Sequence, residues 1–347
     1  MQTTLNKNWL PEIDIIRSII IIMLVLYHSF APYTFGWDAI PSIDPHNKIY
    51  YWIGKFANSG MLETFVLISG YIFASKSRAT ISRNTFILKK IKRLYIPTIL
   101  WGVILILIFN YSDLSNFVTI NTGIKLLNGI EHLWFLPMLF WCFVFELYLY
   151  PKICDKYLLL FAYLCLIPYP AIPIIRISLY YYLFFHLGVL FFNNKEKIRC
   201  WWTTKKFVLL SIVYIILFIA GTVAIDSKYL YFDDTTPIIK KAILIHAGNI
   251  LRFSYSILAT LIYYYIGTHI QAKGSSLYNI IHSIAIYSFG IYILQEIILR
   301  LIYYRTDIPL YCHSYMIPWL GFIIAFSCSY FLSYILNKNK ITRLLFG

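Results

Sequence analysis

The sequence predicts an all-α, polytopic membrane protein of about ten transmembrane helices with both termini cytoplasmic, and three observations carry that prediction. Of its 347 residues 60% are hydrophobic and only 13% charged, with a mean hydropathy of +0.68. A soluble domain of this length carries about twice that charged share. The apolar residues gather in runs long enough to cross a hydrocarbon core as helices. Lys and Arg concentrate in alternate connections between those runs, the bias that sets orientation in a bilayer.

Ten candidate spans follow in order, at roughly 13–35, 49–74, 94–111, 133–150, 157–174, 178–193, 206–225, 243–266, 279–301 and 315–336. The first opens with Glu12 and Asp14, carries Arg17, and reaches His28 after an uncharged run. It is longer than the apolar core of a signal peptide and no small-x-small site follows it, so it is expected to stay as an anchor. The second holds Glu63 and the third follows the basic run Lys89–Arg93, while the fourth begins beside Glu131 and His132. Pro168, Pro170 and Pro173 interrupt the fifth, implying a kinked or short helix covered by its neighbours. The sixth follows at once, and the ninth carries Gln295 and Glu296. With the N-terminus inside, the Lys- and Arg-rich segments around 76–93, 195–206 and 338–343 are cytoplasmic, and Asp38, Asp44, Asp233 and Asp234 fall outside. Residues 1–347 read as one membrane domain with no appended soluble domain.

The composition also excludes function classes. A formal charge of +15 could suggest nucleic acid, but the cations sit in short loops and form no basic-aromatic stripe on which bases could stack. The chain's 31 Tyr, 26 Phe and 9 Trp suit a protein with two interfaces to line for every span. Its 6 Cys make no C-x-x-C pair and no metal-ligand spacing, so neither structural disulfides nor a metal site is expected. No internal repeat is visible, which weakens the case for a transporter built of inverted halves.

Four clusters could carry chemistry. Arg17 and His28 are eleven positions apart, close to one face of one helix and about 16 Å apart along its axis. Ionisable groups inside a membrane are functional candidates by default. The plain alternative is an Arg that snorkels to the headgroups and a His that packs. Asp14, three residues before Arg17, could hold the guanidinium. Lys89, Lys90, Lys92 and Arg93 would bind a polyanion, or simply anionic lipid. His132 with Glu131 beside it could do acid–base work on a hydroxyl, or form the polar flank of an interfacial aromatic anchor. In the ninth span Gly290 permits close helix approach, and Gln295 and Glu296 need partners in lipid. Glu63 is a further buried carboxylate, with Lys55 as one possible partner.

Together these stretches resemble the bacterial acyltransferase family 3, a family of integral-membrane acyltransferases. Arg17 and His28 match its pattern of an Arg, ten residues, then a His. The Phe65–Tyr71 stretch looks like its Ser-Gly-aromatic signature, and Lys89–Pro97 is similar to its basic run ending in proline. His132–Pro137 matches its His-Leu-Trp-Phe-Leu signature. Ser288–Gln295 is similar to a late helix that usually ends in His, a place taken here by Gln295. The resemblance runs from residue 12 to about 296.

The resemblance implies transfer of an acyl group, most often acetyl from acetyl-CoA, to a hydroxyl of a surface polysaccharide or its lipid-linked precursor, in the inner membrane of a bacterium. The implied partners are the bilayer, an acyl-CoA and a saccharide acceptor. The phosphates of CoA would rest on Arg17, Lys89, Lys90, Lys92 and Arg93, and the thioester would reach His28. His28 would act as general base or as relay to a transient acyl carrier, with His132 and Glu131 lining the acceptor side. Two other classes stay open at this stage: a glycolipid or small-acid transporter or flippase using the same intramembrane charges, and a structural subunit of an export assembly.

Overall fold

The structure, a computed structural model, describes residues 10–40, 46–76, 82–109, 119–148, 157, 173–226, 237–270, 276–339 and 342–346, and every regular element among them is helical. Helix α1 (Pro11–Ser29) starts with Pro in its first turn, where a missing N–H is harmless, and with Glu12 and Asp14, which suit the positive helix end. A 3₁₀ turn (Ala31–Thr34) follows, so the first predicted span is a helix that ends at Ser29 rather than running on to residue 35.

The second predicted span, 49–74, is two helices, α2 (Lys48–Asn58) and α3 (Met61–Ser75). The break falls at Gly60, whose φ of +71 lies in the left-handed region, and a Cβ there would meet the Ala259 Cβ at 2.4 Å. Only glycine satisfies both conditions. The third helix begins earlier than hydropathy indicates. Ser82 caps α4 (Arg83–Lys90), and a single π turn (Ile91–Tyr95) carries it without interruption into α5 (Ile96–Phe109). The basic run therefore lies on the helix itself rather than on a loop before it. Thr119 caps α6 (Ile120–Asn128), and a 3₁₀ turn (Glu131–Trp134) leads to α7 (Phe135–Tyr148) with a bend of 69°.

The fifth predicted span, 157–174, lies almost wholly outside the described residues. Beyond it come α8 (Pro173–Asn193), α9 (Lys195–Trp201), α10 (Thr204–Asp226), α11 (Ile238–His269), α12 (Ser276–Arg305), α13 (Ile308–Tyr311) and α14 (Ile317–Leu336). Five of the described helices are long and apolar enough to cross a membrane, or six when the bent α6–α7 pair counts as one span. The outer faces agree with that setting. Along α5, Leu100, Val103 and Leu107 are exposed, and along α10 Leu209, Ile212 and Ile216 are. In water such stripes would be large apolar patches; a bilayer covers them.

Two helix pairings position the interior. Helix α1 runs parallel to α12: Ser18 Oγ donates to the Ile281 carbonyl at 2.7 Å, and Tyr303 Oη donates to the Ser29 carbonyl at 2.8 Å. Helices α3 and α8 touch backbone to backbone. A Cβ on Gly70 would come within 1.9 Å of the Phe185 carbonyl oxygen, and one on Gly188 within 2.0 Å of the Leu67 carbonyl oxygen. Small residues at such crossings are how membrane helices gain packing contact where apolar burial drives little. Three carboxylates, Glu63, Glu146 and Glu296, are each 2% exposed inside this bundle.

Candidate active site

A cavity of about 660 Å³ opens among these helices, and residues of α1, α12 and the turn before α7 meet on its wall. Its size suits a small ligand. His28, Glu131, His132, Glu296, Arg300, Trp37, Trp134 and Arg252 line it. His28 stands in the last turn of α1 and is 8% exposed. Gln295 from α12 donates through Nε2 to His28 Nδ1 at 2.6 Å, and the Trp37 ring stacks on the imidazole at 5.7 Å. Trp37 is also covered by the Arg300 guanidinium, 4.9 Å from its centroid, a cation–π contact that holds the indole over His28.

His132 enters from the other side. Gly129 at φ 83 and Glu131 at φ 52 turn the chain through left-handed backbone just before α7, an uncommon state for a residue with a Cβ. The turn sends the two neighbouring side chains to different partners. Glu131 meets Arg300 Nη2 at 2.5 Å, while His132 Nδ1 lies 3.1 Å from Glu296 Oε2. Glu296 Oε1 accepts from Arg300 Nε at 2.8 Å, one helical turn away on the same face, and its Oε2 lies 3.7 Å from His28 Nδ1. One buried carboxylate thus joins both imidazoles, whose centroids are 6.4 Å apart.

Donor and acceptor accounting assigns the protons. His132 Nε2 faces the Ile293 carbonyl at 3.0 Å and must donate there. Its Nδ1 lies beside Glu296, the carboxylate that Arg300 also holds. His132 is thus set between a backbone carbonyl and a carboxylate, and the Tyr292 hydroxyl fixes its backbone by donating to the His132 carbonyl. His28 differs: among the described residues its Nε2 has no protein partner, and the ring lines the cavity. With Gln295 Nε2 donating, His28 Nε2 carries the ring proton. A half-turn of the amide sets Gln295 Oε1, otherwise buried without a partner, against Nδ1–H and moves the lone pair to Nε2.

The basic residues gather at the opposite end of α1. Arg17, Lys76, Lys90 and Arg93 lie near enough for their charges to act on one another. Lys76 stands just past α3, and burial beside Arg93 and Arg17 lowers its pKa below the usual lysine range. Lys90 also sits 3.6 Å from the Phe143 ring centroid. Lys89, Lys92 and Arg93 are exposed, and Lys90 is half-buried. None of these cations lines the cavity.

The structure thus brings His28, His132 and Glu131 to one site and sets Arg17, Lys90 and Arg93 together about 16 Å away along α1. Asp14, read from spacing as the partner of Arg17, takes a contact of 2.8 Å from His282 Nδ1 while its charge still acts on Arg17. Glu63 accepts from the Tyr180 hydroxyl at 3.2 Å. The carboxylate partner of His132 is Glu296 of α12 rather than its chain neighbour Glu131. Sequence reasoning marked Glu296 only as a polar group in want of a partner. The Glu296–Arg300 spacing of four was the available sign that one face of α12 is charged.

A family model described as an acyltransferase domain matches residues 10–338. No curated protein and no solved structure matches the sequence.

Proposed function

Because the chain belongs to the acyltransferase family whose model spans residues 10–338, and is by that membership an acyltransferase of a membrane, we propose that it moves acetyl from cytoplasmic acetyl-CoA to a hydroxyl of a cell-surface polysaccharide or its lipid-linked precursor. In this reading ten spans thread the bacterial inner membrane with both termini cytoplasmic. The basic end, holding Arg17, Lys90 and Arg93, faces the CoA pool.

The observation that carries the reading is one imidazole, His28, whose Nε2 is unengaged at a cavity wall while the second imidazole and its carboxylate are locked together beside it. With Gln295 accepting from Nδ1–H, His28 Nε2 takes the proton of the acceptor hydroxyl. The hydroxyl oxygen attacks the thioester carbon, the C–O bond forms and the C–S bond breaks, and the proton passes to the departing thiolate. Glu296, held by Arg300 and beside His132, stands 3.7 Å from His28 and fixes the local charge before the reaction begins. Trp37 limits water at the imidazole, which protects the thioester from hydrolysis. Along α1 between Arg17 and His28, Ile20 and Ile21 are fully buried. Admission of the pantetheine arm requires that this packing part.

The test is transfer of radiolabel from acetyl-CoA to a saccharide by the purified chain in a lipid nanodisc. Lys90→Ala combined with Arg93→Ala is expected to raise the KM for acetyl-CoA about tenfold or more, with kcat changed far less, since uniform binding is what phosphate contacts supply. Absence of thioester-dependent transfer by the unaltered protein would remove the proposal.

A further inference from the structure

The cavity holds more polar groups than the acid–base pair uses. Asn58 at the end of α2, with Asn249 and Arg252 on α11, all line it. Among the described residues none of these three side chains makes a hydrogen bond or ion pair with the protein. Elsewhere in the site charge is balanced in direct contact: Glu131 and Glu296 are both taken by Arg300, at 2.5 and 2.8 Å. Arg252 has no such contact. Its nearest opposite charge is Glu63, close enough to act on it electrostatically but turned to the Tyr180 hydroxyl, and the two share only a small side pocket of about 70 Å³.

Arg252 is exposed into this cavity rather than packed against protein, and ionisable residues so placed within a membrane domain mark ligand pathways. Its fork of N–H groups fits a carboxylate or a phosphate better than it fits a lone hydroxyl. The carboxamides of Asn58 and Asn249 offer donors and acceptors suited to sugar hydroxyls, and Trp134, also in the wall, offers a ring face for a pyranose. Resting on the acyl-transfer reading of this cavity, we propose that the acceptor is an anionic saccharide, whose carboxylate or phosphate is received by Arg252 while Asn58 and Asn249 hold the ring. Arg252 then sets acceptor specificity. It orients the sugar by its charged group so that one hydroxyl is carried to His28.

The proposal is tested by binding alone, with no thioester present. The full chain in nanodiscs is titrated with three methyl glycosides: a hexuronic acid, a hexose 6-phosphate and the neutral hexose. Quenching of the cavity tryptophans, Trp37 and Trp134, reports occupancy. At least one anionic glycoside is expected to bind about tenfold or more tightly than the neutral one, and which of the two does so identifies the group read. Arg252→Gln is expected to bring that ratio toward one, and Arg252→Lys to keep part of it, because charge remains while the fork is lost. Equal binding of all three sugars by the unaltered chain would overturn the proposal, and so would equal weakening of all three by Arg252→Gln. The ratio is read within each protein, so a partly misfolded variant does not imitate the result. Anionic preference without any acyl transfer would leave this inference standing and remove the function proposed above.

Discussion

His28→Ala is expected to lower acyl transfer by about 10²- to 10⁴-fold, the range that a positioned acid–base group contributes. The imidazole is the one ring in the site with a nitrogen free to face substrate, and no other described group at the cavity has an unengaged nitrogen base of that kind. The loss should fall on kcat, because the phosphates that dominate donor affinity are proposed to bind at the far end of α1. Stability should change little. His28 makes one hydrogen bond, to Gln295, and its deletion strands a single amide, which costs about 1–3 kcal/mol. Initial rates of label transfer, with a thermal melt as control, check both parts. A variant that retains more than about a tenth of the activity would assign the base elsewhere.

Glu296→Gln is the second large effect, and it should strike activity and stability together. The carboxylate is 2% exposed and serves Arg300 and both imidazoles. The amide keeps the shape and removes the charge, leaving His132 Nδ1 and one face of Arg300 without the carboxylate. Breaking a buried pair from one side costs about 3–5 kcal/mol. The melting temperature should therefore fall, and kcat should fall about 10²-fold or more as His132 and His28 lose the carboxylate between them. Glu296→Asp keeps the charge and should recover part of the rate. Glu131→Gln is the comparison: its carboxylate is 44% exposed at the side chain, and pairs of that kind contribute about 0.2–1 kcal/mol. If Glu131→Gln proved as damaging as Glu296→Gln, the hub would be wrongly assigned. Rates and melting curves of the three variants decide it.

The contrast between those two glutamates shows what the sequence could and could not supply. Periodicity and spacing place residues on the face of their own helix, so Arg17 and His28 could be aligned on α1 before any coordinates. They say nothing of which helix lies opposite. His28 and Gln295 are 267 residues apart in the chain, and a two-hundred-residue separation leaves no mark in local pattern. Glu131 and His132 are neighbours in the chain and read together as an acid–base candidate, whereas the turn at Gly129 and Glu131 sends the two side chains to different partners. Helical phase does not divide the basic run: Lys90 alone is half-buried, while Lys89, Lys92 and Arg93 are all exposed, and only the fold shows that Lys90 and Arg93 lie near Lys76 and Arg17. The break at Gly60 was hidden for a different reason. Hydropathy measures how apolar a stretch is, and α2 and α3 are both apolar. The left-handed φ of +71 and the approach of Ala259 explain why glycine stands there. Arg252 lay in an apolar run where a single cation reads as an exception until Asn58, Asn249 and Tyr180 are seen around it.

The claim beneath all of this is that a thioester bound at the basic end of α1 delivers its acyl carbon to the imidazole eleven residues along the same helix. A structure of the chain with a non-hydrolysable thioether analogue of acetyl-CoA measures that directly. The account predicts phosphates against Arg17, Lys90 and Arg93, and the acetyl group in the cavity with room for an acceptor oxygen about 3–3.5 Å from its carbonyl carbon and within hydrogen-bond reach of His28 Nε2. Phosphates seated instead at the cavity on Arg252 or Arg300, with the Arg17 cluster empty, would contradict it.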